Sequence, residues 1–137
     1  MSLFVDTSVW YAAADRGDSS NERAKEILAA GDALVTTDHV LVETWLLLLH
    51  RLGRHAAETF WDGLRSGVAA IEAVTTADLE SARATGEAFP DQDFSIIDRT
   101  SFAVMQRLGL RRAAAFDDDF AVFRYGPKRD QAFRLIR

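Results

Sequence analysis

The sequence has 137 residues, no cysteine and a formal net charge of −5. Such a length fits one core that stands without staples, and the missing thiols exclude disulfide frameworks, thiolate zinc sites and cysteine nucleophiles. With 48% apolar and 27% charged residues the balance is that of an ordinary globular chain, and the net acidity argues against a protein that coats nucleic acid.

Leu3 to Val5 predicts a short buried strand that ends at Asp6. Thr7 or Ser8 can then cap a helix through Tyr11 and Ala14, and Asp6 itself is an alternative cap. The polar run Asp15 to Asn21 is a loop. Glu22 to Ala30 reads as a helix closed by Gly31, and Ala33 to Thr36 as a second strand. From Asp38 a long apolar helix runs to Gly53, followed by a second helix from Arg54 to Ser66, so the pair forms a helical hairpin. Val68 to Val74 is a strand candidate. Thr75 to Asp78 and Ser95 to Asp98 both match the capping-box pattern, opening helices that reach Ala88 and Gly109. Ala113 to Phe116 predicts a fourth strand leading into Asp117, Asp118 and Asp119. A short amphipathic piece from Phe120 to Phe123, a turn at Gly126-Pro127 and an edge strand from Ala132 to Ile136 complete the chain.

Short apolar strands alternating with helices predict an α/β fold, a three-layer α/β/α sandwich around a mainly parallel sheet of four to five strands. No linker, repeat or low-complexity tract interrupts residues 1–137, so a single domain is expected. The longest apolar stretch, Val40 to Leu49, is too short for a membrane span and carries Glu43. No basic-then-apolar leader precedes the first strand, so a cytoplasmic location without membrane attachment is expected.

Four acids invite a chemical reading. Asp6 ends strand one, Glu43 interrupts the apolar helix with no Lys or Arg at i+3 or i+4, Asp98 lies in the first turn of a later helix, and Asp117 follows strand four. Sites in open parallel sheets form beyond the carboxyl ends of the strands, where Asp6 and Asp117 both fall. Converging carboxylates repel, and a bound cation is the natural compensation. Oxygen-only donors suit Mg²⁺ or Mn²⁺, while His39, His50 and His55 lack a zinc-binding spacing. Such a cluster suits phosphodiester hydrolysis by an activated water, with Thr7 or Ser8 orienting an acid or a water.

Charge is unevenly spread along the chain. Residues 1–98 carry 7 Lys/Arg against 17 Asp/Glu, whereas residues 99–137 carry 9 against 4. Arg107, Arg111, Arg112, Arg124, Lys128, Arg129, Arg134 and Arg137 could together line one surface, or form an ordinary solvated face.

In FVDTSVW, VLVETW, DQDFSIIDRTSFAVMQRLGL and AFDDDF, taken in this order and spacing, the chain resembles the PIN-domain ribonucleases, and among them the VapC toxins of toxin–antitoxin pairs. The resemblance implies a PIN-like fold over the whole chain and an acidic pocket of Asp6, Glu43, Asp98 and Asp117 holding Mg²⁺ or Mn²⁺. Thr7 and Ser8 would support it, Asp93 would support or cap, and Asp119 competes with Asp117 as the fourth ligand. It further implies a homodimer, a VapB-type antitoxin that blocks the site, and cleavage of structured RNA such as transfer or ribosomal RNA. Three rivals are weighed against it. A haloacid-dehalogenase-like phosphatase needs an acid two residues beyond the first Asp, where this chain has Ser8. A receiver module needs an Asp where Ile71, Glu72 and Ala73 stand. A non-catalytic PIN-like RNA-binding domain would be free to lose acids that are all present here.

Overall fold

The computed structural model describes residues 1–137. Five strands and seven helices alternate along the chain. They are β1 (Ser2–Val5), α1 (Thr7–Ala14), α2 (Asn21–Leu28), β2 (Ala33–Thr37), α3 (Asp38–Leu52), α4 (Arg54–Arg65), β3 (Ala70–Glu72), α5 (Thr76–Ala88), α6 (Ile96–Leu108), β4 (Arg112–Ala114), α7 (Asp119–Val122) and β5 (Arg134–Ile136). The strands form one sheet in the order β3-β2-β1-β4-β5, and every neighbouring pair is parallel. With helices on both faces, this is the α/β/α sandwich that the alternation predicts.

Central position explains the composition of β1. A parallel strand covered on both sides reads as a continuous apolar run, and Leu3, Phe4 and Val5 are fully buried. The chain lays strands β1, β2 and β3 in one direction and then returns to place β4 and β5 on the other side of β1. Strand order therefore reverses between β1 and β4, which makes a crevice at their carboxyl ends.

Two sets of contacts fix the helices around that crevice. Phe94, Phe102, Phe120, Phe123 and Phe133 pack together, with the Phe102 and Phe123 rings stacked at 4.3 Å and 9°. They hold α6 and α7 against the sheet. On the other side Tyr11, Leu48 and Ala57 form a small cluster that ties α1 to the α3–α4 hairpin. The hairpin turns on one residue, Gly53, whose φ of 97° lies in the region that favours glycine. Its amide donates to the carbonyls of Leu48 and Leu49, closing the end of α3.

Several boundaries differ from the sequence reading. The third strand is only Ala70–Glu72, because Val68 turns outward and is exposed. The fourth is Arg112–Ala114, so Asp117 lies in a loop beyond it. Both capping boxes form as expected, Thr75 with Asp78 and Ser95 with Asp98. The cap of α1, however, is the Asp6 carboxylate and not the Thr7 or Ser8 hydroxyl, because those two residues already lie within the helix.

The eight cations named above do not share one surface. Arg107 pairs with Asp78 at 2.9 Å, Arg112 with Asp32 at 3.0 Å and Arg137 with Asp118 at 2.6 Å. Arg111, Arg112 and Arg134 stand at the amino ends of β4 and β5, at the opposite end of the sheet from the crevice.

Candidate functional site

Asp6 sits where β1 hands over to α1, and it is only 4% exposed. Its amide continues the sheet by donating to the Ala114 carbonyl at 3.0 Å, which holds the first acid beside the segment leading to Asp117. The carboxylate accepts the Ser8 amide at 3.4 Å and the Ser8 hydroxyl at 3.1 Å. That same hydroxyl accepts the Phe116 amide at 3.0 Å, so Ser8 stitches the Asp6 side chain to the loop after β4. Thr7 is buried, and its hydroxyl accepts from Thr44 at 3.1 Å, fixing α1 against α3.

These residues open into a hollow of about 480 Å³. Asp6, Thr7 and Ser8 line it from the β1–α1 joint, Glu43 from α3, Ser95 and Asp98 from the start of α6, and Asp117 and Asp119 from the loop beyond β4. Six acids from five parts of the chain, Asp18 of the loop after α1 among them, thus face one space. Within it the Asp119 amide donates to Asp117 at 3.0 Å, while Asp98 caps α6 by accepting the Ser95 amide at 3.1 Å.

Their crowding has an electrostatic signature. Burial pushes the Asp6 carboxyl up to about 7, and the charge of Asp117 adds to the effect against the opposing hydrogen bonds from Ser8. Dehydration likewise raises Asp98 to about 8, reinforced by a shared hydrogen bond with Asp119 and by the charge of Asp6. Asp117 is exposed as a residue, yet its carboxyl is partly dehydrated and also moves up, with Asp119 and Asp118 contributing. Carboxyls raised by burial and by one another in a cleft are the pattern of a functional site.

Two expectations change here. Glu43 is half-buried and lies outside the buried stripe of α3, which is Val40, Thr44 and Leu48. Its apolar sequence neighbours do not bury it, since α3 is apolar nearly all round and leaves Val42 and Leu46 53% and 45% exposed. Asp93 does not reach the hollow. It is exposed, and the cap of α6 is made by Ser95 with Asp98. The sequence reading also passed over Arg51, Tyr11, Asp18 and Ser20, which complete the walls. Arg51 could have been found by stepping from Glu43 through Leu47 at i+4 to i+8, one stripe of α3.

As a metal site the donor set is all oxygen, which fits a hard divalent cation. No three His, Asp or Glu side chains are grouped closely enough to hold an ion by themselves. An ion held here would rest on one or two of these carboxylates and take the rest of its shell from elsewhere.

A crevice at the strand-order reversal, walled by carboxylates and served by a hydroxyl from the first helix, defines an α/β protein that carries an acidic site at the carboxyl ends of its strands. The family model of the PIN domain matches residues 3–124, and the chain belongs to that family. The nuclease expected from the sequence stands with it, as does the use of a divalent metal ion. Two curated proteins from Mycobacterium tuberculosis strains, each named 23S rRNA-specific endonuclease VapC20, are 40% identical over 120 residues, covering 87% of this chain and 92% of theirs. The crystal structure of M. tuberculosis VapC20, described as a sarcin–ricin-loop-cleaving toxin, superposes with a TM-score of 0.83 at 38% identity, over 87% of this chain and 92% of that one. VapBC2 from Rickettsia felis, crystallised on a DNA fragment from its promoter, shares the fold with a TM-score of 0.69 at 12% identity, over 99% and 98% of the two chains. No helix is long and apolar enough to cross a membrane.

Proposed function

We propose that the chain is one PIN-like nuclease domain over residues 1–137, the toxin half of a VapBC-type pair. It acts as an endoribonuclease on large-subunit ribosomal RNA, at the sarcin–ricin stem–loop or a stem–loop like it. The observation that carries this reading is the gathering of Asp6, Glu43, Asp98, Asp117 and Asp119 in one hollow at the carboxyl ends of β1 and β4. The VapC20 relatives supply the substrate class. A VapB-type antitoxin is the partner, and the bacterial cytoplasm, where ribosomes are, is the compartment. A homodimer is the assembly that the VapC resemblance implies.

Asp6 and Asp98 would hold Mg²⁺ or Mn²⁺, with Asp117 or Asp119 and Glu43 contributing directly or through water. When bound, the ion supplies Lewis acidity toward the scissile phosphate and the attacking water, and it neutralises the acids. Ser8 holds the Asp6 carboxylate in place through its hydroxyl, so Asp6 need not reorganise when the ion arrives. Thr7 and Thr44 keep α3, and with it Glu43, at a fixed distance from Asp6.

Purified protein with Mg²⁺ or Mn²⁺ is expected to cut a sarcin–ricin RNA hairpin, EDTA to stop it, and Asp6→Asn or Asp98→Asn to abolish it. End-mapping of the digest reads the site. Intact hairpin, or cleavage equal in the Asp6→Asn variant, contradicts the assignment. Release of inorganic phosphate from a small ester with intact RNA would favour the phosphatase reading.

A further inference from the structure

Resting on that function, and deepening it, we propose that Arg51 is an RNA phosphate anchor. Held on Tyr11 at the rim of the hollow, it grips the backbone beside the bond that is cut. Six acids line the hollow, counting Asp18, and Arg51 is the one cation among its walls. A mobile guanidinium beside so many carboxylates would be expected to fold onto one of them, yet Arg51 makes no ion pair within 4.0 Å. It lies instead over the Tyr11 ring, 5.1 Å from the centroid.

Tyr11 is itself immobilised. Its hydroxyl donates to Asp15 at 2.7 Å, and the other oxygen of that carboxylate accepts the Gly17 amide at 2.9 Å, closing the loop after α1. Ring, carboxylate and guanidinium therefore form a built ledge, in which Arg51 lies close enough to the Tyr11 hydroxyl and to Asp15 for both to feel its charge. Eight residues separate Arg51 from Glu43 on α3, a rise of about 12 Å. About two turns of α3 therefore separate the Arg51 position from the Glu43 wall, which sets the guanidinium at the rim of the hollow. An anionic polymer entering a hollow of acids needs such a cation on the rim, since an ion among the carboxylates screens only the phosphate it touches.

The test compares wild type with Arg51→Ala, Arg51→Lys and Tyr11→Phe on the sarcin–ricin hairpin with Mn²⁺, and by anisotropy of the same labelled RNA in EDTA over a salt series. Arg51→Ala is expected to raise KM about tenfold with kcat within about twofold, and to flatten the salt slope of log binding by about 0.7, the loss of one contact to a single strand. Arg51→Lys should keep the slope, and Tyr11→Phe should fall between the two, because it frees the ring without removing the charge. An Arg51→Ala protein whose KM and salt slope equal those of wild type, or one that loses kcat alone, overturns the anchor. Failure of the wild type to cut RNA would instead overturn the function, and the EDTA binding series separates the two cases.

Discussion

Asp6 serves two ends that pull against each other. Its carboxylate caps α1, which favours the charged form, while burial and Asp117 favour the neutral one, and the second influence wins. The ordinary value of 3.8 rises to about 7 on folding, so at mild acidity the folded metal-free protein holds a proton that the unfolded chain has lost. Stability is then full below the unfolded value and drains away as pH rises through the folded one. In EDTA the melting temperature should therefore be higher near about pH 5.5 than near about pH 8, with Asp98 and Asp117 adding in the same direction. Asp98→Asn, which can still accept the Ser95 amide, should flatten that slope and gain roughly 1 kcal/mol at the higher pH, about 3 to 5 °C for a chain of this size. Scanning fluorimetry across pH reads both, and a metal-free protein that grows more stable from pH 5.5 to 8 would count against strain in the hollow. At this scale a capping role was legible for Asp6 and Asp98, and each has it, but that role alone did not say that they share one hollow with Glu43 and Asp117. Arg51 was not legible, since the apolar run before it hides the stripe it shares with Glu43, and Tyr11 reads as ordinary core.

Helix α5 and helix α6 are joined by one buried acid. Asp78 is 3% exposed, accepts the Thr75 amide to complete the cap of α5, and takes two hydrogen bonds from Arg107 on α6 at 2.9 and 3.1 Å. The Arg107 hydrogen bonds hold its carboxyl below the ordinary range, so this contribution is present above the unfolded value and lost as acid takes pH beneath it. Asp78→Ala removes cap and partner together, and about 2 kcal/mol should be lost in urea unfolding at neutral pH, since the half-exposed Arg107 can turn to water. A change below about 0.5 kcal/mol would mean that the aromatic packing alone sets the α5–α6 angle. Local signals made the elements readable: capping boxes, glycines after helices and short apolar runs name their own ends. Strand order had no such signal, because the side of β1 on which β4 and β5 settle depends on how the Phe102 cluster packs, a contact among residues far apart in sequence.

Over the whole molecule, charge is separated from end to end. Acids collect at the carboxyl edge of the sheet, while Arg111, Arg112 and Arg134 lie at the amino edge and Arg112 is spent on Asp32. Three cations of the basic final third, Arg107, Arg112 and Arg137, are paired with acids, and linear charge counting could not reveal which edge of the sheet each one occupies. A molecule built so carries an unmet demand for cations at one end. A ligand that binds only the folded state stabilises it by about 2.7 kcal/mol at a hundred times its dissociation constant, so the fold and the activity draw on the same ion. The most direct measurement is calorimetric titration with Mn²⁺ and with Mg²⁺ near about pH 6.5, repeated in buffers of different ionisation enthalpy to count the protons expelled, because ligands must be ionised to bind. With Asp6 near 7 and Asp98 near 8 before the ion arrives, about one proton or more should leave per ion bound, falling toward none near about pH 9, and Asp98→Asn should reduce the count. Binding that releases no proton at pH 6.5, or no binding of either ion, would contradict the account.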